Sequence, residues 1–191
     1  MALRFTLTRL LPSVALFLVL LGGALLADLV LHRAGLAGVG RWGGLAGTVL
    51  IAASFLYSAR KRKLLSAGSP KGLLRLHETL GWAGALLVLV HGGIHFNALV
   101  PWLALLAMVV VVASGLTGRF LLADVRERLR ERAGELARSG LSPAEVEREV
   151  LSVSLLHDTM KQWRKVHLPL TMLFAGLAVV HVAATLLFWR W

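Results

Sequence analysis

LHETLGWAGALLVLVHGGIH, residues 76–95, is an apolar run that carries three histidines, His77, His91 and His95. Its length suits a bilayer crossing, which takes about 20 residues for a hydrocarbon core of about 30 Å. An unpartnered polar group in hydrocarbon costs several kcal/mol, so ionisable side chains in such a segment point to function. His77 and His91 are fourteen residues apart. That is nearly four helical turns, about 21 Å at 1.5 Å per residue, so both rings leave one face of a helix.

The rest of the chain has the same character. It has 191 residues, 57% of them hydrophobic, and a mean hydropathy of +0.74, too apolar for a soluble domain of this size. Five segments have spanning length, approximately 10–31, 42–58, 77–96, 99–121 and 167–189. The expected fold is all-α: one integral membrane bundle of five transmembrane helices over residues 1–191. The first segment has the charge and hydropathy of a secretory signal, with Arg4 and Arg9 before an apolar stretch ending in ALLA, and is expected to be a retained helix.

Charge orients the bundle. The formal charge is +11, but the basic residues lie between apolar segments rather than on one exposed face, which excludes a nucleic-acid binder. With the N-terminus inside, segments 1–9, 59–76 and 119–166 hold 18 of the 21 Lys and Arg residues, leaving Arg33, Arg41 and Arg190 outside. The positive-inside rule then places the N-terminus in and the C-terminus out, in a multi-pass protein of the bacterial cytoplasmic membrane with lipid around it. Trp42, Trp102, Trp189 and Trp191 fall at the outer interface and Trp163 at the inner one, as an aromatic belt requires. Cysteine is absent, so disulfides, iron–sulfur clusters, thiolate zinc sites and covalently attached haem are excluded.

Residues 122–166 are expected to form a cytoplasmic helical hairpin between helices four and five. ADVRERLRERAGELARSG reads as a charged helix, and LSPAE supplies Ser142 as N-cap, Pro143 at the first helical position and Glu145 as the capping-box partner.

HLPLTMLFAGLAVVH, residues 167–181, repeats the fourteen-residue spacing with His167 and His181. Spans three and five are separated by one span and so run parallel, which sets His77 opposite His167 and His91 opposite His181. Two facing imidazole pairs, one near each membrane surface, suit two non-covalent b haems, each iron ligated axially from both helices. Gly81, Gly84 and Val88 on one helix and Thr171, Phe174 and Ala178 on the other lie between the ligands at helical spacing. Apart from Phe174, which is expected between the two rings, they are small enough for a flat macrocycle to approach the backbone. Pro169 removes a backbone donor, so span five is expected to start near Leu168 or to kink there.

These paired histidines resemble the cytochrome b subunit of respiratory quinol–cytochrome c complexes. Their placement on spans three and five, with WRKVH opening the latter, is closer to the ferric-reductase and NADPH-oxidase-like transmembrane domain; the resemblance covers roughly residues 70–190. It implies four ligands, His77, His91, His167 and His181, and electron transfer across the bilayer. The chain departs from the oxidases in having five spans and no flavin- or nicotinamide-binding segment. That departure points to an electron-transfer subunit working with a redox partner protein, with a quinol as source or sink.

Around this quartet, His95 is a neighbour of the outer haem or an alternative to His91 as ligand. Arg75, Arg119 and Arg164 lie at the level of the inner haem propionates, and Arg41 or Arg190 at the outer ones, the guanidinium fork matching a carboxylate. His32 and His157 read as solvated, with Asp28 one turn before His32 as its partner. Two rival readings remain. One is a stand-alone metalloreductase acting on ferric or cupric ions, in which His95, Asn97 and Arg41 line the outer mouth. The other is a haem-free scaffold or ion carrier.

Overall fold

The structure, a computed structural model, describes residues 2–93, 98–146 and 155–188. Among them every regular element is helical: α1 (Ala2–Arg33), α2 (Ala37–Ser54), α3 (Leu56–Lys61), α4 (Pro70–Gly92), α5 (Leu99–Arg138) and α6 (Leu155–Phe188), with one further helical turn at 143–146. Five stretches are long and apolar enough to cross a membrane: Leu11–Arg33, Ala37–Lys61, Pro70–Gly92, Leu99–Phe120 and Lys161–Phe188. Leu, Val and Phe side chains such as Leu18, Leu106, Val179 and Leu187 stand exposed on the outside of the bundle. Hydrocarbon is the solvent such a surface requires, and a helix satisfies its own backbone there.

Local chemistry sets three of the boundaries. Ser69 caps α4, its hydroxyl accepting the Gly72 N–H at 3.1 Å, with Pro70 at the first helical position. At the other end Gly93 closes α4 with φ +50°, a conformation glycine takes without a Cβ penalty. The capping box at Ser142 forms as the residues predict: the Ser142 N–H donates to Glu145 Oε2 at 2.9 Å, and the Glu145 N–H returns to Ser142 Oγ at 3.4 Å.

Three boundaries differ from the sequence expectation. The second span is interrupted at Phe55, which separates α2 from the short α3. The first arm of the inner loop is not a separate helix: α5 continues from the span through Phe120 to Arg138, because nothing between those residues breaks a helix. Nor does Pro169 begin the last span, since α6 starts at Leu155 and carries Pro169 in its interior. Proline there leaves one carbonyl, that of Lys165, without its usual donor, and the rest of a long apolar helix outweighs that loss.

The helices associate in two tight antiparallel pairs, α2 with α4 and α5 with α6, with α1 lying against α4 and α5. Among the described residues no Cα of α4 lies within 8 Å of one of α6. Leu20 of α1, Ala85 of α4, Ala107 and Met108 of α5 and Phe174 of α6 form the central cluster at mid-depth.

Candidate cofactor site

Four histidines stand on two helices with no close backbone contact between them. His77 and His91 are on α4, His167 and His181 on α6. His167 lies within electrostatic reach of His77, and His181 within reach of His91. Glu78 meets Arg119 and Gly92 meets Leu105, so α4 runs antiparallel to α5; Ser114 meets His167 and Gly118 meets Trp163, so α6 does too, and α4 and α6 run parallel with their histidines in the same order. Phe174, midway between His167 and His181, belongs to the central cluster and separates the two levels.

Three of the four rings have a partner on a neighbouring helix. The His77 Nδ1–H donates to the Ser54 carbonyl of α2 at 3.0 Å, and its ring lies 5.7 Å from that of Tyr57. The His91 Nδ1–H donates to the Gly40 carbonyl, also on α2, at 3.3 Å. A carbonyl only accepts, so the Nδ1 of both rings carries the proton and each Nε2 keeps its lone pair. His167 Nδ1 meets the Ser114 hydroxyl of α5 at 3.2 Å. The same serine's carbonyl accepts the Trp163 N–H at 2.9 Å, and Trp163 stacks on His167 with centroids 4.5 Å apart. A hydroxyl both donates and accepts, so Ser114 fixes the place of the His167 ring without by itself fixing its tautomer.

This donor set fits haem. An axial ligand presents one ring nitrogen to the metal and gives the other, protonated, to a carbonyl, which fixes the tautomer and raises the basicity of the free nitrogen. The imidazoles come in twos, one from each of two helices whose Cα atoms stay more than 8 Å apart.

The spacer residues divide. Gly84 and Val88, expected to make room for a macrocycle, pack instead on α2. A Cβ at Gly47 would meet Val88 Cγ2 at 2.7 Å and the Gly84 carbonyl at 2.8 Å. Small residues here bring two membrane helices into backbone contact, the other use such residues have. Gly81 and Gly176 have nothing within 4 Å of an added Cβ. Thr171 turns its hydroxyl back to the His167 carbonyl at 2.8 Å.

Arg119 pairs with Glu78 at 3.4 Å, which ties α5 to α4 one residue beyond His77. Arg75 and Arg164 are exposed at the same end of the bundle, and Arg41 at the other. Asp28 pairs with His32 at 3.2 Å, as its position one turn earlier predicts. His157 falls in the first turn of α6. His95, Asn97, Arg190, Trp189 and Trp191 lie outside the described residues.

Sequence reading overlooked Gly40, Gly44, Ser54 and Ser114. The signal for the first two was present in GRWGGLAG, residues 40–47, where Gly40/Gly44 and Gly43/Gly47 each give the GxxxG spacing of close helix contact. No such signal marks the serines. Comparison of the chain with protein-family models, with characterised proteins and with solved structures finds no match.

Proposed function

We propose that this chain is a di-haem transmembrane b-type cytochrome that carries electrons across a bilayer. His77 and His167 hold one haem, and His91 and His181 the other, with the N-terminus and the basic loops on the cytoplasmic side of a bacterial inner membrane. The observation that carries the reading is the double pairing: two histidines fourteen residues apart on α4, matched end for end by two on α6.

Haem supplies a one-electron couple, its iron alternating between ferrous and ferric. The protein's residues do the rest. On His77 and His91 the bond that Nδ1 makes keeps the Nε2 lone pair free, and the apolar span around the pairs keeps the dielectric low and water out. Phe174 and its neighbours in the central cluster hold the two levels apart. Arg75, Arg119 and Arg164 offer positive charge to propionates at the His77 end, and the Glu78 carboxylate keeps Arg119 in place there. Electrons enter and leave through a redox partner protein or a quinone at the two faces.

The test is a visible spectrum of the purified protein, oxidised and then dithionite-reduced, with haem counted per chain. Two low-spin b haems are expected. Colourless protein from haem-replete cells would refute the reading and leave the scaffold or carrier in its place.

A further inference from the structure

α2 contributes no histidine to either pair, yet it touches both histidines of α4. The two carbonyls that receive them, Gly40 and Ser54, are themselves fourteen residues apart, and the helix runs antiparallel to α4. Gly40 therefore meets His91 just as Ser54 meets His77. Each residue of a helix turns by about 100°, so a carbonyl one place earlier or later would face away from its ring.

Distinct local features make these carbonyls reachable. Ser54 is the last residue of α2, and the break at Phe55 puts its carbonyl among the group that a helix end leaves without regular partners. Gly40 lies in the first turn of α2, and the His91 ring reaches its carbonyl by lying over Gly44. A Cβ at Gly44 would stand 2.6 Å from His91 Cγ and 2.7 Å from both Cδ2 and Nδ1, closer than side-chain carbons approach one another. Only glycine leaves that path open.

We propose that α2 is the positioning wall of the site: the Gly40 and Ser54 carbonyls set both α4 histidines as Nδ1–H tautomers, and Gly44 is a positioning residue for His91. The inference rests on the haem reading above. A hydrogen-bonded Nδ1–H makes Nε2 a stronger donor and favours the ferric state. Displacing the His91 ring therefore raises the midpoint potential of the iron it ligates. Loss of such an outer partner typically weakens metal binding by roughly 10- to 100-fold.

The test uses the full-length purified protein and three single variants. Gly44→Ala strikes the His91 ring. Gly47→Ala crowds Val88 and the Gly84 carbonyl and touches no histidine, and Gly38→Ala, also on α2, meets nothing within 4 Å. Potentiometric titration and low-temperature electron paramagnetic resonance read each ferric haem separately. Gly44→Ala is expected to raise one midpoint, shift one low-spin signal and speed the loss of that haem about tenfold or more, the other haem keeping its wild-type values. Gly38→Ala is expected to behave as wild type. Unchanged midpoints and signals in Gly44→Ala overturn the proposal. So does the same single-haem change in Gly47→Ala, which would make helix spacing alone responsible.

Should Gly44→Ala not fold, nitrogen-15 resonances of histidine-labelled wild-type protein in the reduced, diamagnetic state decide the matter. Protonated Nδ1 at His77 and His91 is expected, and protonated Nε2 at either overturns the proposal. If the wild type binds no haem, the functional reading falls by itself, and the same resonances of the haem-free protein still judge the tautomers.

Discussion

Ser114→Ala is the most discriminating perturbation of the α6 side. Ser114 makes two separate contacts: its hydroxyl meets His167 Nδ1 at 3.2 Å, and its carbonyl accepts the Trp163 N–H at 2.9 Å. Alanine removes only the first. Its methyl fits wherever the serine does, so the carbonyl and the Trp163–His167 stack at 4.5 Å stay in place. The lost bond is neutral, and a typical net hydrogen bond contributes about 0.5–1.5 kcal/mol. At about 1.4 kcal/mol per factor of ten, that is roughly 2- to 12-fold in haem affinity. Outer partners of metal-bound histidines span roughly 10- to 100-fold. About tenfold is where the two ranges meet. His77, the second ligand on the proposed reading, keeps its own bond to Ser54, which argues against complete loss of such a haem. The assay is transfer of haem to excess apomyoglobin, followed at the two resolved absorption components. One component should leave about ten times faster and the other at the wild-type rate. Equal acceleration of both, or of the His91/His181 haem alone, would refute the assignment of Ser114 to the His167 site.

Two further predictions concern the framework. The Ser142 hydroxyl, and after it the Ser142 N–H, holds the Glu145 carboxyl below its ordinary value of 4.5. A lowered carboxyl stabilises the fold above the unfolded value and loses that contribution as pH falls through the folded one. Amide exchange at Ser142, Glu145 and Val146 should therefore stay slow at neutral pH and quicken, after correction for intrinsic rates, only below about 4.5. Glu145→Gln should flatten that acid response, and a response of unchanged size would show that another group causes it. Pro169→Ala should return a donor to the Lys165 carbonyl inside α6. The gain is up to about 3 kcal/mol, less about 0.4–1 kcal/mol for a freer unfolded chain. A thermal midpoint in detergent that fell instead would mean that the proline shape is needed where α6 meets α5.

The spans, the caps and the histidine quartet were legible in the sequence because each depends on composition or local spacing. Twenty apolar residues read as a span, and Ser69 before Pro70 reads as a helix start, as it proves to be. What was not legible depends on which surfaces meet. Nothing local says that α5 runs on past Phe120, since a charged helix and an apolar one join without a break signal. Pro169 read as a boundary or a kink because the rule for proline is local, whereas the thirty-four residues of α6 run through it without a boundary. Gly84 and Val88 read as space for a ring because only the position of α2 decides which side of α4 is taken. Ser54 and Ser114 act through a backbone carbonyl or a lone hydroxyl, and a serine that does so looks like any other.

The packing also bears on what the histidines are for. A histidine that only fastens two membrane helices needs one partner across one contact, and His77 on Ser54 or His167 on Ser114 would already satisfy it. Such fasteners could sit anywhere along α2/α4 or α5/α6, and no relation between the two pairs would be required. Yet α4 and α6, which share no close backbone contact, carry their histidines at the same spacing and the same two levels. A structural bond on α2 cannot dictate where α6 puts a histidine. A ligand reaching both helices can, because it fixes the depth of both donors at once. On the haem reading proposed above, the Nδ1 bonds of His77 and His91 and the histidines at the same levels on α6 are two halves of one requirement: the first satisfies Nδ1 in hydrocarbon, and the second sets where Nε2 is needed.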